Sequence, residues 1–219
     1  MPSRAPLAAV FDLDGTLIDS LPVTFDAFRD ATAPFLGRRL SDAEIYAHFG
    51  PADHLIVAAL VGPAHAEAAV AELMAVYARR MAEMPLFPGI ADALAAIRAA
   101  GVRLALCTGR GGPSTRLILA ALGLSDTFEA VVVGEDVAHP KPAPDGIRET
   151  ARRLAVPAER TVYVGDSLKD VEAGLAAGAF TIAALWAATE GEAPAGGNPS
   201  AVARRPDELP GLVAALHGR

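Results

Sequence analysis

The chain has 219 residues and a formal net charge of −7, from 19 Lys and Arg against 26 Asp and Glu. A hydrophobic content of 52% with 21% charged residues excludes a disordered chain and supplies a sizeable core. The acidic balance argues against a nucleic-acid partner, and a lone cysteine, Cys107, excludes an intrachain disulfide framework or a multi-cysteine metal site.

Residues 1–10 hold one arginine and a short apolar run that passes directly into acids, so no signal peptide is expected. No uncharged apolar stretch of about 18 residues occurs, so a cytoplasmic protein without a membrane partner is expected. The run 7–11 predicts a buried strand followed by a loop. A helix is predicted over 20–35, where Leu21, Phe25, Phe28 and Phe35 share a face. Ser41 and Glu44 form a capping box ahead of a short helix, and 53–60 reads as helical. Residues 63–84 read as one long helix, with Val70, Leu73, Met74, Tyr77, Met81 and Met84 in a core-facing stripe.

The texture changes at Pro85-Leu86-Phe87-Pro88-Gly89. Helices over 90–100, 113–122, 145–154 and 168–177 then alternate with strands over 103–107, 130–133, 161–164 and 180–185. That alternation predicts a Rossmann-like α/β fold, a parallel sheet with helices on both faces. A polar loop over 189–200 and a terminal helix over 207–217 complete the chain. The all-helical stretch 17–85 reads as a cap domain inserted at the tip of the first strand. The core domain is then 1–16 and 86–219. Ligands of open parallel sheets bind at the carboxyl ends of the strands, so this cap would sit over the site.

Four polar clusters each follow a predicted strand: Asp12-Leu13-Asp14-Gly15-Thr16, Thr108-Gly109-Arg110, His139-Pro140-Lys141-Pro142-Ala143-Pro144, and Gly165-Asp166-Ser167-Leu168-Lys169-Asp170. Parallel strands bring all four to one edge, with up to four carboxylates among them. Two like charges about 4 Å apart repel by roughly 4 kcal/mol at an effective dielectric of about 20. Such a cluster calls for a cation or for protonated members. An oxygen-only ligand set suits Mg²⁺, and the site suits an anionic substrate. Lys141 is one of only two lysines beside 17 arginines. Lys169 reads as a solvated or locally paired charge, and Asp19-Ser20 sits where a helix cap belongs.

DLDGTLIDS at 12–20, Thr108 at a strand end, KPAPD at 141–145 and GDSLKD at 165–170 resemble, in order and spacing, the four motifs of the haloacid dehalogenase-like superfamily. The resemblance covers essentially the whole chain, and the insert resembles the C1 cap of the phosphoglycolate phosphatase-like branch. It implies a Mg²⁺-dependent phosphatase that hydrolyses a small-molecule phosphomonoester through an aspartyl phosphate. Asp12 would be the nucleophile and Asp14 the general acid and base. Thr108, Gly109 and Lys141 would hold the phosphoryl group. Asp12, the backbone carbonyl of Asp14, Asp166 and Asp170 would hold the metal, Asp170 directly or through water.

Gly109 stands where many relatives carry Asn, and Arg110 is expected to help position the substrate. The stretch Phe49-Gly50-Pro51-Ala52-Asp53-His54 is the candidate specificity loop. A carboxylated substrate would want a cap arginine (Arg29, Arg38, Arg39, Arg79 or Arg80) or His54 as its partner. The alternative within the fold is a sugar phosphomutase, whose relatives use a cap lysine that this cap lacks. A dehalogenase or phosphonate hydrolase is disfavoured by Asp14, and a non-catalytic binding module by the complete acid, hydroxyl and lysine set.

Overall fold

The computed structural model describes residues 7–187 and 197–217. The reading of the extreme N-terminus and most of the predicted loop 189–200 fall outside those residues.

Six strands form one sheet: β1 (Ala8–Phe11), β2 (Arg103–Cys107), β3 (Ala130–Val132), β4 (Thr161–Gly165), β5 (Phe180–Ala184) and β6 (Ala201–Ala203). All pairs are parallel and the order is β3-β2-β1-β4-β5-β6. The chain builds outward from β1 on one side and then crosses to β4 on the other. The order therefore switches at β1 and β4, where a crevice opens at the carboxyl edge.

Strand parity divides the core. Ala9 and Phe11 of β1 join Leu104, Leu106, Val162 and Val164 on one face. Helices α5 (Ile90–Ala99), α6 (Gly112–Ala121) and α9 (Leu209–His217) belong to that face, through Ile90, Ile118 and Val213 among others. Ala8 and Val10 join Ala105, Cys107 and Tyr163 on the other face. Helices α7 (Asp145–Arg153) and α8 (Leu168–Ala177) cover it with Ile147, Ala173 and Ala177. A strand's period of two produces this division, and both faces are buried, as a parallel sheet requires.

Between β1 and β2 run α1 (Leu21–Leu36), α2 (Asp42–Ala47), α3 (Asp53–Val61) and α4 (Ala66–Arg79). Helix α4 packs on α1 and α3. The two chain crossings to this helical block lie side by side. Asp19 N donates to Pro85 O at 3.0 Å, Phe87 N donates to Leu17 O at 3.0 Å, and Ile18 and Leu86 form an antiparallel bridge. The capping box of α2 forms as predicted, Ser41 accepting from Glu44 N and the Glu44 side chain returning to Ser41 N.

Two expectations change. The predicted helix 63–84 is shorter, and Met81–Glu83 form a separate 3-10 turn. Met84 precedes Pro85, whose ring disfavours helical backbone one residue earlier, and sits at φ −118°, ψ 60°. The stripe survives the break, with Leu73, Tyr77 and Met84 fully buried. The sequence reading also missed β6. Three residues, Ala-Val-Ala, at a sheet edge carry too little periodicity to be read.

Candidate active site

The site is built on turns that follow β1, β2 and β4 and on the loop before α7. After β1 the chain turns sharply, with Leu17 and Ile18 both donating to Leu13 O. Gly15 makes that turn possible at φ 76°, and a Cβ there would stand 2.3 Å from Asp166 Oδ2. Only glycine fits both the conformation and the approach. The turn brings Thr16 Oγ1 within 2.8 Å of Asp166 Oδ1, which accepts its proton.

Lys141 is the hub. Its Nζ lies 2.8 Å from Asp12 Oδ1 and 2.7 Å from Asp170 Oδ1. Asp170 is 2% exposed. Its Oδ1 also accepts from Tyr163 OH at 2.7 Å, and its Oδ2 accepts from the Ser167 hydroxyl at 2.5 Å and from Ser167 N at 3.1 Å. Asp170 is thus at once the capping-box residue of α8 and the brace for Lys141. Tyr163 was not singled out in the sequence. Its signal was a phenol between two valines, two residues before the Gly165 turn.

Asp12, Asp166 and Asp170 place carboxylate oxygens within 4.8 Å of one another. The electrostatic cost is visible. Burial, with Asp170 and Asp166 adding to it, pushes Asp12 well above the usual carboxylate range despite Lys141. Burial and Asp170 push Asp166 up to about 7. Asp170 is held low: burial opposes ionisation there, but Lys141, Ser167 and Tyr163 outweigh it. Two carboxylates that resist ionisation beside a third that is ionised form an oxygen-only set suited to a hard divalent cation.

Asp14 faces elsewhere. Its carboxylate accepts from Ser20 Oγ, and from Arg110 Nε at 3.0 Å and Nη2 at 2.5 Å. Ser20 holds the cap position of α1, yet its hydroxyl makes no capping bond and serves Asp14 instead. Arg110 is buried, and its remaining bonds go to the helical block. Nη2 donates to Thr24 Oγ1 at 2.9 Å, Nη1 to Asp53 Oδ2 at 3.4 Å, and the guanidinium lies 4.7 Å from the Tyr77 ring centre. Arg110 was expected to help position the substrate. It lines the cavity, and its guanidinium ties Asp14 on the core to three residues of the helical block.

Asp53, noticed in the sequence only as part of a loop, anchors this tie. It also accepts from Gly111 N at 3.1 Å. A Cβ on Gly111 would fall 2.7 Å from Asp53 Oδ1 and 2.4 Å from His54 Nδ1, so the contact needs glycine. Burial raises Asp53, but His54, Arg110 and Ser114 together bring it down to about 2. His54 Nδ1 lies 3.7 Å from Asp53, beyond hydrogen-bond reach, while Nε2 lies 3.5 Å from Glu135.

These residues surround a cavity of about 250 Å³. Asp12, Asp14, Thr108, Gly109, Arg110, Lys141, Asp166 and Asp170 line it, so the sequence-predicted core residues converge. His54 does not line it, nor do Arg29, Arg38, Arg39, Arg79 and Arg80. Each of those arginines pairs with an acid of the helical block instead. Phe49, Gly50, Pro51 and Asp53 of the candidate specificity loop do line it. Lys169 stands at the rim, its Nζ donating to Phe49 O at 3.2 Å. Cys107 is buried, as expected of a small apolar residue. Among the described residues no helix is long and apolar enough to cross a membrane.

A family model described as haloacid dehalogenase-like hydrolase matches residues 9–184. A phosphoglycolate phosphatase of Rhodospirillum rubrum is 36% identical over 185 residues, covering 79% of this chain and 77% of that protein. A phosphoglycolate phosphatase of Yersinia pestis is 34% identical over 221 residues, covering 95% and 94%. The crystal structure of CbbY from Rhodobacter sphaeroides in complex with phosphate superposes with a TM-score of 0.78 at 28% identity, covering 93% of this chain and 96% of that one.

Proposed function

The chain belongs to the haloacid dehalogenase-like hydrolases, and on that premise we propose a Mg²⁺-dependent phosphatase that hydrolyses a small-molecule phosphomonoester through an aspartyl phosphate. The observation that carries this reading is Lys141, partly buried and bonded to both Asp12 and Asp170 beside Thr108.

Asp12 is the nucleophile. One of its oxygens attacks phosphorus, and the bond from phosphorus to the leaving oxygen breaks. Lys141 holds the Asp12 carboxylate and neutralises the incoming phosphoryl charge; Thr108 and the Gly109 backbone N–H complete the cradle. Asp14 gives the leaving oxygen its proton. Water then attacks the aspartyl phosphate, Asp14 takes the proton back, and inorganic phosphate departs. That acid–base work is worth about 10²–10⁴-fold. Arg110 acts as a positioning residue, fixing the plane of the Asp14 carboxyl group.

Asp12, Asp166 and the backbone carbonyl of Asp14 would hold Mg²⁺. Asp170 would act through water, because both of its oxygens already accept hydrogen bonds. The bound cation neutralises the carboxylates and polarises the phosphoryl oxygen. Residues 17–85 serve as the cap domain over a core of 1–16 and 86–219. We place the protein in the cytoplasm. The mutase alternative finds no support in the helical block, which carries no lysine.

The test is phosphate release from p-nitrophenyl phosphate and a panel of phosphoesters, with Mg²⁺ or with EDTA. We expect release that EDTA suppresses and that Asp12→Asn loses. Equal release from Asp12→Asn would overturn the mechanism, and equal release in EDTA the metal.

A further inference from the structure

The cavity has two unlike walls. The core wall carries the charges described above, and its two cations Lys141 and Arg110 are already engaged. Lys141 is held by Asp12 and Asp170, and Arg110 by Asp14 and Asp53. The wall from the helical block is mainly apolar: Leu21 and Phe28 of α1, Tyr46 of α2, Phe49 and Pro51 of the loop, and Ile56 of α3, while its polar members Thr24 and Asp53 are bonded to Arg110. Phe49 is the centre of an aromatic cluster. Its ring stacks on Phe25 at 5.9 Å between centres and 13° between planes, and lies 6.0 Å from Phe28 and 5.4 Å from Tyr46.

The leaving group of the substrate must lie against this second wall, because the phosphoryl group is held by the first. A carboxylate or second phosphate there would meet rings and aliphatic carbon. Among the described residues, none of the arginines of the helical block lines the cavity. Lys169 stays at the exposed rim, with one hydrogen committed to Phe49 O. A buried charge without a partner is costly, whereas an apolar ring gains from every contact. Space permits a ring: a cavity of roughly 150 Å³ lined by Leu, Ile and Phe takes benzene, and this one is about 250 Å³ for ring and phosphoryl group together.

We propose that the substrate is a phosphomonoester whose alcohol half is an uncharged apolar group, best an aromatic ring, selected by Phe49 and Phe28. This inference rests on the phosphatase reading above and narrows its substrate class.

The experiment compares three primary alkyl phosphates, so that leaving-oxygen chemistry stays similar: 2-phenylethyl phosphate, ethyl phosphate and 2-phosphoglycolate. Phosphate release with Mg²⁺ gives kcat/KM for each, with p-nitrophenyl phosphate as a control for turnover. We expect 2-phenylethyl phosphate to exceed both others by about tenfold or more, since even one methylene in an apolar pocket is worth ~10-fold. Phe49→Ala should narrow that ratio, mainly through KM, while its thermal midpoint reports whether the cap still folds. If Phe49→Ala does not fold, the three-ester comparison on the wild-type protein still decides. Turnover of p-nitrophenyl phosphate with 2-phosphoglycolate or ethyl phosphate equal to or better than the phenyl ester would overturn this inference and leave the phosphatase standing. No turnover of any ester would overturn both.

Discussion

The two walls of the cavity are built on opposite principles. The core wall gathers buried charge at the ends of parallel strands, where backbone pairing fixes each residue's place. Asp12 N, for example, is pinned to Val164 O at 2.9 Å. The wall from the helical block gathers rings and aliphatic side chains on helices joined to the core by two adjacent crossings at Leu17–Asp19 and Pro85–Phe87. A rigid sheet edge can hold like charges close together because it does not relax away from them. Apolar packing tolerates small displacements that would break a carboxylate cluster. Arg110 joins the two, a core residue whose partners lie on both walls.

The largest way to break the contrast is on the core wall. Asp12→Asn keeps shape and removes the nucleophile, and we expect kcat to fall by on the order of 10³-fold or more, measured by phosphate release. Arg110→Ala attacks the joint. It leaves Asp53 buried without its guanidinium, and removing one partner of a buried pair costs about 3–5 kcal/mol. Urea unfolding should show that loss, and a loss below 1 kcal/mol would mean the tie is idle.

Next comes Mg²⁺. Asp166 is raised in the fold to about 7 from an ordinary carboxylate value near 3.8. The folded protein therefore binds a proton that the unfolded chain releases, and metal-free stability falls as pH rises from about 4 to 7. Above pH 7 the full penalty is present, and there Mg²⁺ has no proton to displace. The rise in thermal midpoint on adding Mg²⁺ should thus be larger at pH 8 than at pH 5, about 2.7 kcal/mol in stability at one hundred times Kd. An equal rise at both pH values would contradict the cluster as the metal site. The smallest test sharpens the joint alone. Thr24→Val removes one acceptor from Arg110 and should cost about 1.5 kcal/mol in urea unfolding, with the sheet untouched.

Much of the core wall was legible in the sequence because each of its residues follows a strand. Once 7–11, 103–107 and 161–164 read as parallel strands, Asp12, Thr108 and Asp166 must share an edge. Lys141 stood out through its scarcity and its proline-braced loop. The helical block was legible as helices, down to the Ser41–Glu44 capping box, but its inner face was not. Helical periodicity tells which residues are buried, and both a core and a cavity wall are apolar. Arg110 was placed near the site, yet its true partners, Thr24, Asp53 and Tyr77, lie 86, 57 and 33 positions away in the chain. No spacing rule connects them.

The sequence by itself determined the parallel sheet, the helical insertion and the set of acids, hydroxyl and lysine at one edge, because strand parity and helix period are local and add up along the chain. Only the tertiary structure decided which charges cancel one another, that the arginines of the helical block turn to its own acids, and that Phe49 and its neighbours face the cavity. Those outcomes depend on how the helical block meets the sheet. Orientation between two packed units is set by contacts between distant residues, and a linear pattern does not encode it.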